Sequence, residues 1–254
     1  SHELRTPLNS VISLSGVLDK RLATLIPDED HSYLRVIERN GQHLLELING
    51  ILDLSRIESG KEELQVTDFH ISTVITEIIE SVEPLAAEKG IELIDEVKNN
   101  IAPIHSDAKK CQHILLNLIA NAVKFTAKGQ VIVSTRQTKE DLFISVTDTG
   151  IGISDEQLPH IFDAFRQANE TTTRDFEGTG LGLAIAIEYT RLLSGELTVK
   201  SVLGEGSVFT LRLPLVLKVA RQELFVDTAK PELKPHQKSK PKKHATKPLV
   251  LIVD

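Results

Sequence analysis

Several residue types are scarce or absent in this chain of 254 residues. It contains no methionine and no tryptophan, only one cysteine, and only 4% aromatic residues. A single cysteine cannot form an internal disulfide, so a disulfide-held fold is excluded and a reducing, cytosolic location is expected. Cys111 lies among apolar residues of a predicted helix, and we interpret it as a small buried hydrophobic residue, not a nucleophile.

Long apolar runs are also missing. No stretch reaches the roughly 18 apolar residues that a membrane-spanning helix requires, so no direct membrane contact is expected from this sequence. Because methionine is absent and the chain starts at Ser1, we expect a piece of a longer protein. The run from Pro248 to Asp254 has the composition of a β-strand that stops at its acidic tip.

The charge of the chain is unevenly distributed. The net charge is −7, yet lysines are concentrated in residues 230–247, so the rest of the chain is more acidic than this total. Nucleic acids require a cationic surface, and we therefore expect no nucleic-acid partner. Residues 220–247 lack periodicity and are rich in lysine and proline, which is typical of a solvated, flexible linker.

Two helices are predicted in the N-terminal quarter of the chain. Apolar and small residues recur there at spacings of three and four, as in a coiled-coil seam, at Leu4, Leu8, Val11, Ser15, Leu18, Leu22 and Leu25. Pro27 and three acidic residues then predict the start of a second helix, which ends near Gly60. Its apolar stripe is widened by Leu45, Leu47, Leu52 and Leu54. A helical hairpin cannot cover so much apolar surface, which predicts a homodimer that forms a four-helix bundle.

The periodicity changes after Glu62. Short runs with strand character occur at 64–69, 91–97, 130–136, 142–148, 196–201 and 207–213, and helical stretches near 72–89, 107–125 and 180–193. This order predicts an α+β sandwich with helices on one face of a mixed sheet. We therefore expect a hairpin at 1–62, an α/β-sandwich domain at 63–217, a linker at 218–247 and a strand at 248–254.

One predicted helix carries an unusual polar stripe. Asn117, Asn121 and Lys124 share one face, while apolar residues cover most of the remaining surface. The stripe is compatible with an ordinary solvent-facing side of a helix, although Glu and Lys form helices better than Asn there. Alternatively, amide oxygens and a lysine suit a hard cation that bridges phosphates.

Two glycine-rich loops follow. Asp148-Thr149-Gly150-Ile151-Gly152 ends a predicted strand; it is either a tight turn or a loop whose Asp148 accepts a hydrogen bond from an adenine amino group. The second loop, Gly178-Thr179-Gly180-Leu181-Gly182, opens a helix, where backbone N–H groups favour phosphate. Neither loop has the Walker or the Gly-x-Gly-x-x-Gly spacing, so P-loop and dinucleotide-binding folds are excluded.

The first predicted helix begins with a candidate nucleophile. His2 lies off the apolar stripe, Thr6 shares its exposed face one turn later, and Pro7 is expected to bend the helix. An exposed histidine at a helix bend contributes little to stability, and it is well placed to present a reactive group.

Taken in order, these segments resemble the sequence boxes of bacterial hybrid sensor histidine kinases. The H box corresponds to His2–Pro7, the N box to Asn117–Lys124, the G1 box to Asp148–Gly152, the F box to Phe162–Arg166 and the G2 box to Gly178–Gly182. The resemblance covers residues 1 to about 216. It implies a dimerisation and phosphotransfer hairpin followed by a Bergerat-type ATPase domain that uses ATP and Mg²⁺.

The resemblance also implies roles for individual residues. Asn121 would hold Mg²⁺ with help from Asn117, Lys124 would contact phosphate, Asp148 would recognise adenine, and Arg166 would lie near the γ-phosphate. The glycine loops would complete the nucleotide site through Gly150, Gly152, Gly178, Thr179, Gly180, Leu181 and Gly182. Phe162 and Phe165 would anchor a mobile lid at about 153–177, although both are also compatible with core positions of a short helix.

The expected reaction is autophosphorylation of His2, followed by transfer to an aspartate of a receiver domain. Glu3 would accept the proton of the other ring nitrogen, and Thr6 would orient a water for hydrolysis of the receiver phosphate. Residues 247–254 are similar to the first strand of a receiver domain, which implies a hybrid kinase such as the Arc-type sensors. The receiver would lie in the same protein or in a separate response regulator, and the chain would be the cytosolic portion of a membrane-anchored sensor.

Two alternatives stay open at this point. Hsp90-, gyrase- and MutL-like ATPases share the ATP fold and hydrolyse ATP to drive a clamp, but they lack an H box on a dimerising hairpin. A dimerising scaffold that retains the boxes without catalysis is the second alternative. Labelling of the protein by ATP would separate both from a histidine kinase.

Overall fold

A computed structural model describes residues 2–98, 101–166 and 179–218, with side chains from Arg5 onward. Helix α1 spans His2–Arg21 and helix α2 spans Asp28–Glu58, as the sequence predicts. Pro27 precedes α2 in an extended conformation. Three acidic residues in the first turn stabilise the helix, because negative charge interacts favourably with the positive end of the helix dipole. The linker beyond residue 218, the strand at 248–254 and residues 167–178 lie outside the described residues.

The two helices meet at Leu8 of the predicted seam and at Ile12, which lies outside it. A Cβ on Gly41 would lie 2.7 Å from Ile12 Cγ1, and His31 Nδ1 lies 2.7 Å from Asp19 Oδ1. Three predicted seam residues are instead exposed, namely Val11, Leu18 and Leu25. The hairpin alone therefore leaves these three side chains uncovered, and the predicted four-helix bundle is the arrangement that would bury them.

The α/β portion contains a mixed five-stranded sheet. Its strands are β2 (Ile91–Glu96), β4 (Gly129–Gln137), β5 (Asp141–Asp148), β6 (Glu196–Val202) and β7 (Gly206–Pro214). Their order across the sheet is β2-β4-β5-β7-β6, and only the β2–β4 pair is parallel. Strands β1 (Val66–Phe69) and β3 (Ile104–Asp107) form a separate antiparallel pair. Every predicted strand that falls on described residues is present, and β3 was not predicted.

Three helices cover the sheet: α3 (Ile71–Lys89), α4 (Ala108–Phe125) and α5 (Gly182–Leu192). Every second residue of β5 is buried, which shows that one face of the sheet packs on the helices. Helix α4 lies in the middle, between α3 and α5, and buries seven of its apolar residues. Asp107 caps its start by accepting a hydrogen bond from the Lys110 backbone N–H at 3.1 Å.

The apolar face of α2 is divided between two contacts. Leu47 and Leu54, which widened the predicted stripe, pack against the core of the α/β portion together with the buried Ile57. Part of the surface from which we inferred a second copy is thus covered within the chain. None of the helices in the described ranges combines the length and apolar character that crossing a bilayer would require.

Candidate functional site

The predicted N box and G2 box meet where Asn117 faces Gly182. The Asn117 amide nitrogen donates to the backbone oxygen of His113 at 3.0 Å. Its Oδ1 faces α5, where a Cβ on Gly182 would lie only 2.5 Å away. A side chain at this position would force the Asn117 amide or the start of α5 to shift. The first residue of α5 therefore approaches the polar stripe of α4 closely.

The loop after β5 packs on the other end of α4. A Cβ on Gly150 would lie 2.5 Å from the backbone oxygen of Phe125, and the Ile151 N–H donates to that oxygen at 3.3 Å. Gly152 adopts a positive φ of 65°, and a Cβ there would meet the backbone oxygen of Val202 at 2.0 Å. The glycines thus permit a backbone-to-backbone approach that other residues would prevent.

Asp148 is a buried acid at the end of β5, only 7% exposed. Its Oδ1 accepts a hydrogen bond from the Gly150 N–H at 2.8 Å. Burial raises the pKa of the Asp148 carboxyl above its usual value, while hydrogen bonds from Gly150 and Ser207 act in the opposite direction. A buried carboxylate beside a glycine loop can recognise a hydrogen-bond donor of a planar ligand.

The turn between β6 and β7 supports the glycine loop that follows β5. We did not predict this support from the sequence. A Cβ on Gly206 would lie 2.0 Å from the Asp148 backbone oxygen, and the Gly204 N–H donates to the Ile151 oxygen at 2.7 Å. The only sequence signal for this support was the pair of glycines, Gly204 and Gly206. In the structure both adopt a positive φ. Such a turn reads as an ordinary hairpin until the pairing of β5 with β7 is known.

The segment after the 3₁₀ turn at Leu158–His160 reaches the start of the second glycine loop. The Phe165 N–H donates to the Gly180 oxygen at 3.0 Å, and Phe165 has a φ of 65°, which is uncommon for a residue other than glycine. Phe162 packs partly buried against the core, as one of the two interpretations expected. Phe165 is 60% exposed, so its assignment to a core was wrong. Both follow the short helix and lie outside it.

The cationic candidates lie in different settings. Arg166 is exposed and donates to Asp163 Oδ2 at 3.2 Å, an oxygen that His160 Nδ1 also approaches at 2.9 Å. The hydrogen bond from His160 is the largest of several effects that lower the pKa of the Asp163 carboxyl. Lys124 is half-buried with its Nζ 5.0 Å from the centre of the Phe125 ring.

A lysine outside the predicted set supports the end of α4. Lys89 Nζ donates to the backbone oxygens of Val123 and Lys124 at 2.9 and 2.7 Å. A cation at a helix C-terminus satisfies carbonyl groups that lack partners within the helix. Lys89 comes from α3, so only the packing of the two helices reveals this contact.

The remaining predicted residues occupy the following positions. Thr6 is exposed on α1, as expected, while His2 and Glu3 belong to the first turn of that helix and their side chains lie outside the described atoms. Gly178 also lies outside the described residues, whereas Thr179 accepts a hydrogen bond from the Leu181 N–H at 3.3 Å. Asn121 is half-buried one turn after Asn117.

Cys111 is fully buried, and burial raises the pKa of its thiol to about 12, as expected of an inert core residue.

The donor set of the stripe fits a hard cation in part. The Asn117 amide keeps its oxygen directed toward the glycine loop because its nitrogen is held by His113. Neutral carbonyl oxygens suit Mg²⁺, which retains several waters and takes the rest of its ligands from phosphates. Among the residues that the structure describes, no group of three His, Cys, Asp or Glu could hold a metal by itself.

Comparisons with known proteins cover both parts of the chain. Residues 1–60 match the His Kinase A (phospho-acceptor) domain, and residues 106–217 match the histidine kinase-, DNA gyrase B- and HSP90-like ATPase. The chain is 42% identical over 224 residues to the autoinducer 2 sensor kinase/phosphatase LuxQ of Vibrio cholerae, covering 85% of this chain and 26% of that protein. It is 38% identical over 217 residues to the hybrid signal transduction histidine kinase L of Dictyostelium discoideum, covering 83% of this chain and 12% of that protein.

A solved structure extends the likeness to the fold. Full-length ShkA in complex with AMPPNP superposes with a TM-score of 0.70 at 34% identity, covering 84% of this chain and 44% of ShkA. The chain spans less than a third of the length of either curated relative named above. The phospho-acceptor match on the hairpin separates it from the gyrase- and Hsp90-like members of the ATPase group. Its helical hairpin, its ATPase domain and its relatives agree, and the chain belongs to the histidine kinases.

Proposed function

We propose that this chain is the catalytic core of a hybrid sensor kinase that phosphorylates itself on His2 with ATP. The observation that carries the proposal is the close approach of Gly182 to Asn117 Oδ1, which brings the glycine loop to the polar stripe of α4. Phosphate groups at the start of α5 would therefore lie beside amide oxygens. The match of residues 1–60 to a phospho-acceptor domain supplies the other half of the reaction.

Each part of the nucleotide has a proposed partner. Asp148 would accept a hydrogen bond from the adenine amino group, with Gly150 and Gly152 allowing the base to approach the backbone. Backbone N–H groups of residues 178–182 would bind phosphate, assisted by Lys124, and Arg166 would approach the γ-phosphate. Mg²⁺, held by the side-chain oxygens of Asn121 and Asn117, would neutralise phosphate charge.

The chemical step requires little covalent chemistry from the ATPase domain. An imidazole nitrogen of His2 attacks the γ-phosphorus, so that an N–P bond forms while the P–O bond to the leaving ADP breaks. The attacking ring must be neutral, and an ordinary histidine with a pKa of about 6.5 is mostly neutral in the cytosol. The other ring nitrogen then gives up its proton to Glu3, which prevents a positive charge from remaining on the phosphohistidine.

The phosphoryl group would then pass to an aspartate of a receiver domain, in the same protein or in a separate response regulator. Thr6 would orient water for the reverse, phosphatase duty. We propose the domain boundaries 1–62, 63–217, 218–247 and 248–254, and a cytosolic location for this core within a membrane-anchored sensor.

A phospho-acceptor hairpin of this type implies dimerisation. In this chain, the surface that a second copy would cover includes the exposed Val11, Leu14 and Leu18 on α1, Leu25 in the turn after it, and the heptad-spaced Ile37, Leu44 and Ile51 on α2. Both sets of side chains lie away from the contacts between α1 and α2 and from the contacts between α2 and the ATPase domain. Four helices would then bury these side chains as a bundle.

The proposal is tested by incubation with γ-labelled ATP and Mg²⁺, comparing the parent chain with His2→Gln. Acid-labile, alkali-stable label that disappears in the variant supports a histidine kinase. Hydrolysis of ATP without any protein label would instead favour a clamp-type ATPase. Binding of ATP with neither label nor hydrolysis would favour a scaffold that retains the boxes.

A further inference from the structure

One polar contact joins the first turns of α1 to the middle of α2. Arg5 Nη2 donates to Asn49 Oδ1 at 2.7 Å across 44 residues of sequence, in a partly buried setting. Arg5 follows His2 by three residues, so the guanidinium leaves the helix about one turn after the acceptor. A bond from a charged donor is stronger than a neutral one, and partial burial limits competition from water.

This part of α1 lacks some of its own support. Pro7 lies inside the helix and has no N–H, so the backbone oxygen of Glu3 has no partner from residue 7. A contact from α2 therefore contributes more to the position of this turn than it would in a helix without the proline.

Gly50, which follows Asn49 on α2, contacts the ATPase domain. Gly50 is buried, and a Cβ there would lie 2.9 Å from Leu181 Cδ1 and 3.3 Å from Ile185 Cδ1. Leu181 belongs to the second glycine loop, which is the proposed phosphate site. Consecutive residues of α2 thus contact the acceptor helix and the start of α5.

We propose that Asn49 is a positioning residue for phosphoryl transfer to His2. Its side chain holds the first turn of α1, through Arg5, at a fixed height relative to the α2 segment on which the phosphate-binding loop packs. An error of about 1 Å in the position of a reacting group can cost roughly a hundredfold in rate. This inference rests on the proposed function, because it takes His2 as the acceptor.

The test compares Asn49→Ala with the matched control Asn40→Ala, an exposed asparagine on the same helix. We expect Asn49→Ala to reduce the maximal rate of His2 phosphorylation by about tenfold or more without raising KM for ATP. Asn49→Asp, which keeps an acceptor for Arg5, should restore the rate. The rate of Asn40→Ala should match the parent.

Two further measurements separate positioning from a general loss of stability. Arg5→Ala should cost as much as Asn49→Ala, and the double variant should cost no more than either, because both remove one contact. Hydrogen exchange, measured without ATP, should accelerate at the amides of Arg5, Thr6, Leu8 and Asn9 in Asn49→Ala while α4 stays protected. An unchanged phosphorylation rate in Asn49→Ala, beside a labelled parent, would overturn the inference. A parent that takes no label on His2 would overturn the proposed function, and this inference with it.

Discussion

Asn117 Oδ1 lies 2.5 Å from the position that a Cβ would occupy on Gly182, so the polar stripe of α4 and the start of α5 are in direct contact. Two segments that are 65 residues apart in sequence therefore form one surface. The hydrogen bond from Asn117 to His113 fixes the orientation of the amide. This relationship would give the proposed nucleotide site its shape.

The first prediction concerns Gly182→Ala. The added methyl group would meet Asn117 Oδ1, displace the start of α5 from α4 and weaken nucleotide binding by about tenfold or more, equivalent to roughly 1.4 kcal/mol. Isothermal titration with ADP and Mg²⁺ measures the change. Gly16→Ala is the control, since a Cβ there would meet only the flexible end of Glu38 at 3.1 Å. Equal affinities in the parent and Gly182→Ala would contradict the proposed role of this approach.

The second prediction concerns pH. Burial raises the pKa of the Asp148 carboxyl in the free protein, whereas a hydrogen bond from adenine would favour the ionised form and lower it again. Binding should therefore release protons, and the affinity should fall as the pH is lowered through the pKa of the free protein. In Asp148→Asn, the affinity should be weaker at pH 7.5 and its pH dependence flatter. The nucleotide phosphates titrate equally with the parent and with Asp148→Asn. Parallel pH profiles of nucleotide affinity for the two proteins would therefore show that Asp148 does not contact the base.

The third prediction contrasts two glycines of α2. Gly41→Ala places a methyl group 2.7 Å from Ile12 Cγ1 within the hairpin, and Gly50→Ala places one 2.9 Å from Leu181 Cδ1 of the ATPase domain. Overpacking typically costs about 1–3 kcal/mol, partly offset by the better helix propensity of alanine. Hydrogen exchange should accelerate in the hairpin for Gly41→Ala and at residues 181–185 for Gly50→Ala. Similar changes in both variants would refute this division of contacts.

The fourth prediction concerns the second copy. Leu14 and Leu18 are 62% and 44% exposed on α1, and replacing both with glutamate should abolish dimerisation. Each lost leucine removes about 2 kcal/mol of apolar burial on either copy, before the charges repel. Sedimentation equilibrium measures the mass. Leu203→Glu, at a side chain that is 65% exposed on the β6–β7 turn, is the control and should stay dimeric. A dimeric double variant would place the interface elsewhere.

The fifth prediction separates the two activities proposed for the hairpin. Thr6 is exposed on α1, four residues after the acceptor, and its hydroxyl is proposed to orient water but not to contact ATP. Thr6→Ala should therefore slow dephosphorylation of a phosphorylated receiver and leave the rate of autophosphorylation unchanged. Both rates are measured with a purified receiver domain. An equal loss of both would mean that Thr6 supports the helix instead.

Much of the architecture was predictable because the patterns were regular. Strand β5 alternates apolar and polar residues, and α4 buries an unbroken apolar face, so period alone identified both. Strand β3 has the sequence Ile-His-Ser-Asp, with one apolar residue in four, so it carries no alternating pattern to detect. The packing face of the hairpin also depended on tertiary contacts, since Val11 and Ile12 are equally apolar and only Ile12 meets Gly41.

The candidate site was predictable where it lay on motifs and unpredictable where it depended on neighbours. Asp148 and the glycines were identified from their order along the chain. The support from Lys89, Ser207 and Gly206 comes from elements that meet the site only after folding. The exposed position of Phe165 was missed because a phenylalanine with positive φ cannot be anticipated from composition.

The most direct test of the proposed autophosphorylation is to locate the phosphoryl group after incubation with ATP and Mg²⁺. The protein would be digested with trypsin at neutral to alkaline pH, which preserves phosphohistidine, and the peptides would be analysed by mass spectrometry. We expect one phosphoryl group on His2 in the peptide of residues 1–5. Phosphorylation of a different residue, or unmodified peptides after ATP has been hydrolysed, would contradict it.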